Sequence, residues 1–203
     1  MSRNGFVLER TASEAPLFAP APPAREVPPS GEYLELIRRH FQAHSAIAIV
    51  AVGSGQAAAG VCDGIAAELA AAGNRVVIVS VDALLRMNPV APPGESGFTP
   101  ARSPNVWRWP SADGGQLEFF NSHAPAGPAA TWLDSLRLAF DSVLLDCPAA
   151  ETAPAAAQLA AMADAAMLVV ETGRTTRRQI LHDQRSLWLR GVKLAGCILM
   201  QQR

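Results

Sequence analysis

The stretch from Ala46 to Gly60, AIAIVAVGSGQAAAG, decides the fold. The run is apolar throughout, too uniform for a strand with one face in water, and predicts a buried strand over Ser45 to Val52. Gly53, Gly55 and Gly60 loosen the turn that follows. An alanine-rich helix is then expected from about Ala57 to Ala72, closed by Gly73. Strand, glycine-rich turn and helix N-terminus in this order is how backbone amides cradle phosphate. A working phosphate loop reads G-x-x-x-x-G-K-[ST]; its lysine reaches the phosphate oxygens and its hydroxyl binds magnesium. Here the side chains before Gly60 are Gln56, Ala57, Ala58 and Ala59. Gly53-Ser54-Gly55-Gln56-Ala57-Ala58 also matches the dinucleotide pattern G-x-G-x-x-[G/A]. Asp82 would be its ribose acid, a little later than the roughly 20 residues expected. A tight turn with no ligand is the third possibility, and the loop alone leaves all three open.

Working outward, RVVIVSVD (Arg75 to Asp82) predicts a second buried strand, parallel to the first through a right-handed crossover. Upstream, residues 1 to 30 form a Pro/Ala-rich tail, APLFAPAPPAREVPPS within it, expected to be disordered or extended. The domain proper is expected over residues 31 to 203. Its first helix should start at Ser30 and cover GEYLELIRRHFQAH, with Glu32 and Glu35 near the positive end and Arg38 and Arg39 near the negative one. Downstream, NVWRWP and QLEFF read as short strands within a Pro/Gly-rich middle from Met87 to Pro128. Then come a helix (AATWLDSLRLAF), a strand (DSVLLDCP, Asp141 to Pro148), a helix (AAAQLAAMA) and a strand (AAMLVVET). A helix ending at Gly191 (TTRRQILHDQRSLWLRG) and a last strand (LAGCILM) follow. This alternation predicts an α/β fold, an open, mostly parallel sheet with helices on both faces.

The 203 residues carry a net charge of −1 and are 17% charged, so nothing recruits nucleic acid by charge. Cys62, Cys147 and Cys197 are odd in number and sit in or beside apolar segments, as buried free thiols of a reducing compartment do. Paired metal-ligand spacing is missing, so no metal site is expected, and His123 and His182 read as isolated side chains. Asp146 beside Cys147 has no histidine in sequence relation to it, which argues against a nucleophile. Arg174, Arg177 and Arg178 open a helix as a solvated face or as a docking patch for an acidic partner. Trp107, Trp109, Phe119 and Phe120 read as core or as a patch under the loop. No apolar run reaches the roughly 18 to 20 residues of a membrane span. MSRNGFVLER has no long apolar region of a secretory signal, and a cytoplasmic protein is expected.

Three segments carry a family resemblance over about residues 31 to 200: RVVIVSVD, FDSVLLDCPA and ADAAMLVVETGRTTRRQ. They resemble the R-V-L-L-V-D-A-D, F/Y-D-x-V-I-I-D-x-P-P and A-D-x-x-L-L-V-V-x-x-G-x-T segments of tyrosine-kinase-like P-loop ATPases. These serve bacterial capsule and exopolysaccharide systems and are relatives of MinD and ParA. The resemblance implies a P-loop NTPase-like fold of MinD/ParA type. The family loop G-E-G-K-[ST]-T falls on Gly55 to Gly60, which puts Ala58 at the lysine position and Ala59 at the magnesium hydroxyl. The family's first D-A-D aspartate falls on Ser80, its second on Asp82, and its Walker B aspartate on Asp146. What remains is a vestigial nucleotide pocket of Gly53, Gly55, Ala58, Ala59, Gly60, Asp82 and Asp146. It has no catalytic residue and no metal, and no cofactor is expected beyond weak ATP and magnesium. The family's C-terminal tyrosine cluster is missing, since the only tyrosine is Tyr33. The family's oligomerising E-x-x-R-x-x-R helix is matched by Glu32, Glu35 and Arg38, with an acid in the middle.

The implied protein is a catalytically inactive regulatory or scaffold module of exopolysaccharide or capsule biosynthesis. Its partner would be a membrane polysaccharide co-polymerase, a glycosyltransferase complex or a related kinase, met at the inner membrane, with a homo- or hetero-oligomer open. One alternative is an active ATPase or tyrosine kinase that takes its cation, Arg174 or Arg178, from a neighbouring subunit. Another is an NAD(P)-binding oxidoreductase using Gly53, Gly55 and Asp82.

Overall fold

Along the first strand, Ala46, Ala48 and Val50 pack into one apolar cluster and Ile47, Ile49 and Ala51 into another. A period of two with both faces apolar is what a central strand between two helical layers requires. The computed structural model describes residues 31, 33–41, 43–53, 57–86, 98–109, 130–151 and 153–201. In it this strand, Ala46–Ala51 (β1), lies between Ser142–Cys147 (β5) and Ala165–Glu171 (β6), parallel to both. Val76–Ser80 (β2) flanks β5, Val106–Trp109 (β4) flanks β2, and Leu194–Met200 (β7) closes the other side beside β6. Thr99–Pro100 (β3) is a two-residue antiparallel edge on β4. The seven-stranded order is β3-β4-β2-β5-β1-β6-β7.

Leu34–His40 (α1) and Ala57–Ala71 (α2), with Tyr33 just ahead of α1, supply Tyr33, Val61, Ile65 and Leu69 to the cluster on one face. Ala130–Ala139 (α4), Pro154–Ala160 (α5) and Arg177–Trp188 (α6) cover the other with Leu133, Leu136, Ala157 and Leu187. The expected α/β architecture is therefore present. Trp107 and Trp109 are buried and pack with Phe98 and Phe140, which places them in the core.

Several expectations are corrected. The first helix is shorter than the span from Ser30, because Gly31 holds φ +73° and Tyr33 lies outside helical geometry. The second strand ends at Ser80; Val81–Arg86 forms a short helix (α3), so Asp82 is in its first turn rather than at a strand tip. β1 and β2 run parallel, as expected, with β5 between them. Cys197 is exposed, since β7 is an edge strand with one side open, while Cys62 and Cys147 are buried as expected. Gly73 closes α2 at φ +93°, with Asn74 N–H donating to the Leu69 carbonyl at 3.1 Å, as a glycine cap should. The tail, QLEFF, Phe119, Phe120 and His123 lie outside the described residues.

The N-terminal ends of the strands are tied by carboxylates. Asp164 accepts hydrogen bonds from the Ser45 and Ala46 amides at 3.0 and 2.9 Å and pairs with Arg137 at 2.7 Å. Asp141 accepts from the Arg75 amide at 2.8 Å, a bond that holds its carboxyl below the usual range.

Candidate functional site

The glycine-rich loop leaves the opposite, C-terminal end of β1, at Gly53. Gly53 has φ +74°, a left-handed conformation that glycine adopts without steric penalty. Its N–H donates to Oδ2 of the buried Asp183 on α6 at 3.4 Å. A Cβ at Gly53 would lie 3.1 Å from Gln179 Nε2. Gly53→Ala is expected to cost about 1–2 kcal/mol from backbone strain alone. A drop in thermal unfolding temperature checks this; an unchanged midpoint would remove Gly53 from the structural role assigned to it.

Gly55 lies outside the described residues, with Ser54 and Gln56. Ala57 opens α2. Ala58 is 3% exposed, Ala59 is half-buried and Gly60 faces open solvent. The position matched to the lysine is thus a small side chain packed inward. Asp146 sits on β5 opposite Ser80 of β2. Burial pushes its carboxyl up to about 6; Arg108 opposes the shift, while Asp63 and Asp82 add to it. The sequence-predicted Asp82 and Asp146 therefore feel one another electrostatically although Asp82 is helical.

Sequence reasoning missed Arg108 and Asp63. Arg108 on β4 pairs with Asp63 on α2, so the cation that most offsets the charge of Asp146 already has an acidic partner. The only cue was a charged residue between two tryptophans in VWRW. Cys147 is fully buried, and burial with Asp146 beside it pushes its thiol far above the ordinary value, the opposite of what activates a nucleophilic thiol. Thr176 caps α6 in a capping box with Gln179, which fixes this helix beside the loop. Arg177 and Arg178 are exposed in its first turn, and Arg174 pairs with Glu171 at 3.4 Å.

His182 is not isolated. With Asp183 and Glu151, which follows β5, it forms a cluster whose ligand atoms all lie within 4.8 Å of one another. Burial raises the Asp183 carboxyl; the Gly53 amide and His182 oppose the rise, and Glu151 adds to it. No spacing rule could have joined Glu151 to a helix so far along the chain, but the adjacent His182-Asp183 pair was visible.

Among the described residues, no helix is long and apolar enough to cross a membrane. The order β2-β5-β1 also departs from the doubly wound dinucleotide order, in which the first two strands are neighbours. With Asp82 in a helix rather than at a strand tip, the dinucleotide reading loses its ribose acid. Neither a protein-family model nor a curated protein matches the sequence. Solved structures do match. The VpsO kinase domain superposes with a TM-score of 0.65 at 15% identity, covering 85% of this chain and 93% of that one. The kinase domain of the Escherichia coli tyrosine kinase Etk gives 0.61 at 17% identity, covering 84% and 73%. The BceF tyrosine kinase domain gives 0.58 at 20% identity, covering 76% and 68%. The chain therefore has the open α/β, P-loop NTPase-like fold of these kinase domains.

Proposed function

We propose that this chain is a non-catalytic module built on a tyrosine-kinase fold. It would serve exopolysaccharide or capsule assembly by docking on a membrane co-polymerase or a related kinase. The observation that carries the reading is the inward-packed Ala58 at the position matched to the lysine, together with the interacting acids Asp82 and Asp146. Phosphoryl transfer rests on positioning and charge stabilisation. A magnesium triphosphate would meet carboxylates without the lysine that offsets its charge. The arginine that acts on Asp146, Arg108, is committed to Asp63. The residues present do not fit that ligand. Docking draws support from α6, where Leu181 and Trp188 lie two turns apart on one face, with Trp188 71% exposed.

Calorimetric titration of the full chain with ATP and magnesium should give no saturable heat below about 1 mM, weaker than about −4 kcal/mol of binding. Phosphate release should stay at the buffer rate. Micromolar binding with turnover would overturn the proposal. Turnover that Arg178→Ala abolishes would point instead to an enzyme completed by its neighbour.

A further inference from the structure

Glu151, His182 and Asp183 meet at the C-terminal end of the sheet, beside the first residue of the glycine-rich loop. Asp183 is 0% exposed. One carboxylate oxygen accepts the Gly53 amide, and the other, Oδ1, is buried without a hydrogen-bond partner. His182 Nδ1 stands 3.5 Å from that oxygen, too long for a good hydrogen bond and an ion pair only when the imidazole is protonated. A buried carboxylate oxygen lacking a donor is costly, and a cation satisfies it. Glu151 and His182 are exposed and free to rotate about their side-chain bonds. Zinc holds nitrogen and oxygen ligands at about 2.0–2.2 Å, which brings ligand atoms to about 3.4 Å of one another in a tetrahedron. Side-chain rotation closes the difference from the present spread.

We propose that Glu151, His182 and Asp183 form a binding site for a borderline divalent transition-metal ion, zinc above all, that fastens the loop to α6. The donor set is one imidazole nitrogen and two carboxylates. It suits zinc or cobalt, whereas magnesium prefers an all-oxygen, largely hydrated shell. The site uses none of Ala59, Asp82 or Asp146, so it is separate from the position where the kinase resemblance puts magnesium. Because Asp183 holds both the ion and the Gly53 amide, metal occupancy reaches the loop directly.

The test uses the full chain stripped with a chelator. Zinc titrated by calorimetry should bind at one equivalent. Cobalt should give visible absorption of a low-symmetry site and broaden the Gly53 amide resonance. Asp183→Asn risks the fold, so the informative variants are the exposed ones. His182→Gln and Glu151→Gln should each weaken zinc binding at least about tenfold, the lower end of what even outer-shell changes cost metal sites. Their unfolding temperatures without metal should match the parent. Cys197→Ser should bind as the parent does. Unaltered affinity in His182→Gln, binding lost with Cys197→Ser, or no saturable binding would each overturn the proposal.

Discussion

Asp146→Asn should stabilise the chain by about 2–3 kcal/mol at pH 8 and by almost nothing at pH 3.5, on the scale of about 1.4 kcal/mol for each tenfold change in proton affinity. Burial favours the neutral carboxyl, and the folded-state value rises to about 6 from an ordinary 3.8. The sign follows from proton counting. Between about pH 4 and pH 6 the folded chain keeps the proton and the unfolded chain releases it, so stability falls as pH rises through that window. Below it both states are protonated and the penalty vanishes; above it the penalty is constant. Asparagine keeps the shape without the charge and removes the slope. Urea unfolding of parent and variant at pH 3.5, 5 and 8 checks this, since other carboxylates cancel in the difference. A variant that gains the same amount at pH 3.5 as at pH 8 would show that ionisation is not the cause. An acid held at such a cost fits a position shaped for binding rather than for stability.

Gly64→Ala should destabilise by about 2–3 kcal/mol, although alanine is the better helix former by about 1 kcal/mol. Gly64 lies in the middle of α2, and the Tyr33 ring packs onto its bare Cα. An added Cβ would clash with Cε2 and lie 3.0 Å from Cδ2 and 3.1 Å from Cζ. Tyr33 cannot slide away cheaply, because its amide donates to the buried Glu68 at 3.1 Å. Expelling the ring forfeits about 2–3 kcal/mol of burial and strains the hydrogen bond that the Tyr33 N–H donates to the Glu68 carboxylate. α1 should then detach from α2 while the sheet persists. Tyr33 is the only tyrosine, so 3-fluorotyrosine labelling gives a single fluorine resonance that reports this contact. A solvent-like shift and narrow line are expected in the variant. A parent-like resonance with an unchanged melting point would refute the packing account.

The strands were legible because Ala46–Ala51, Ser142–Cys147 and Ala165–Glu171 are short, nearly continuous apolar runs between turn signals. α3 was not, since RVVIVSVD reads as one strand to Asp82, although Ser80 just ahead of the helix and Asp82 in its first turn are helix-start signals. The loop and its missing lysine were plain in the letters. Asp183, Arg108 and Glu151 were not, because their roles come from elements that meet only in space; Gly53 and Asp183 are 130 positions apart. Periodicity within a segment says which face is apolar, not which helix end settles against which strand end.

The ties made by Asp164, Arg137 and Asp141 have a consequence for how this molecule can change. They grip the strands at the end away from the loop, around Ser45, Ala46 and Arg75. Foundation and chemistry are thus physically uncoupled, and residues at the loop can be exchanged without loosening what keeps the sheet in register. Such a molecule is a chassis: the half-buried Ala59 at the loop end can be exchanged while the ties at the far end stand, whereas a lysine at the inward-packed Ala58 would also have to find room in the core.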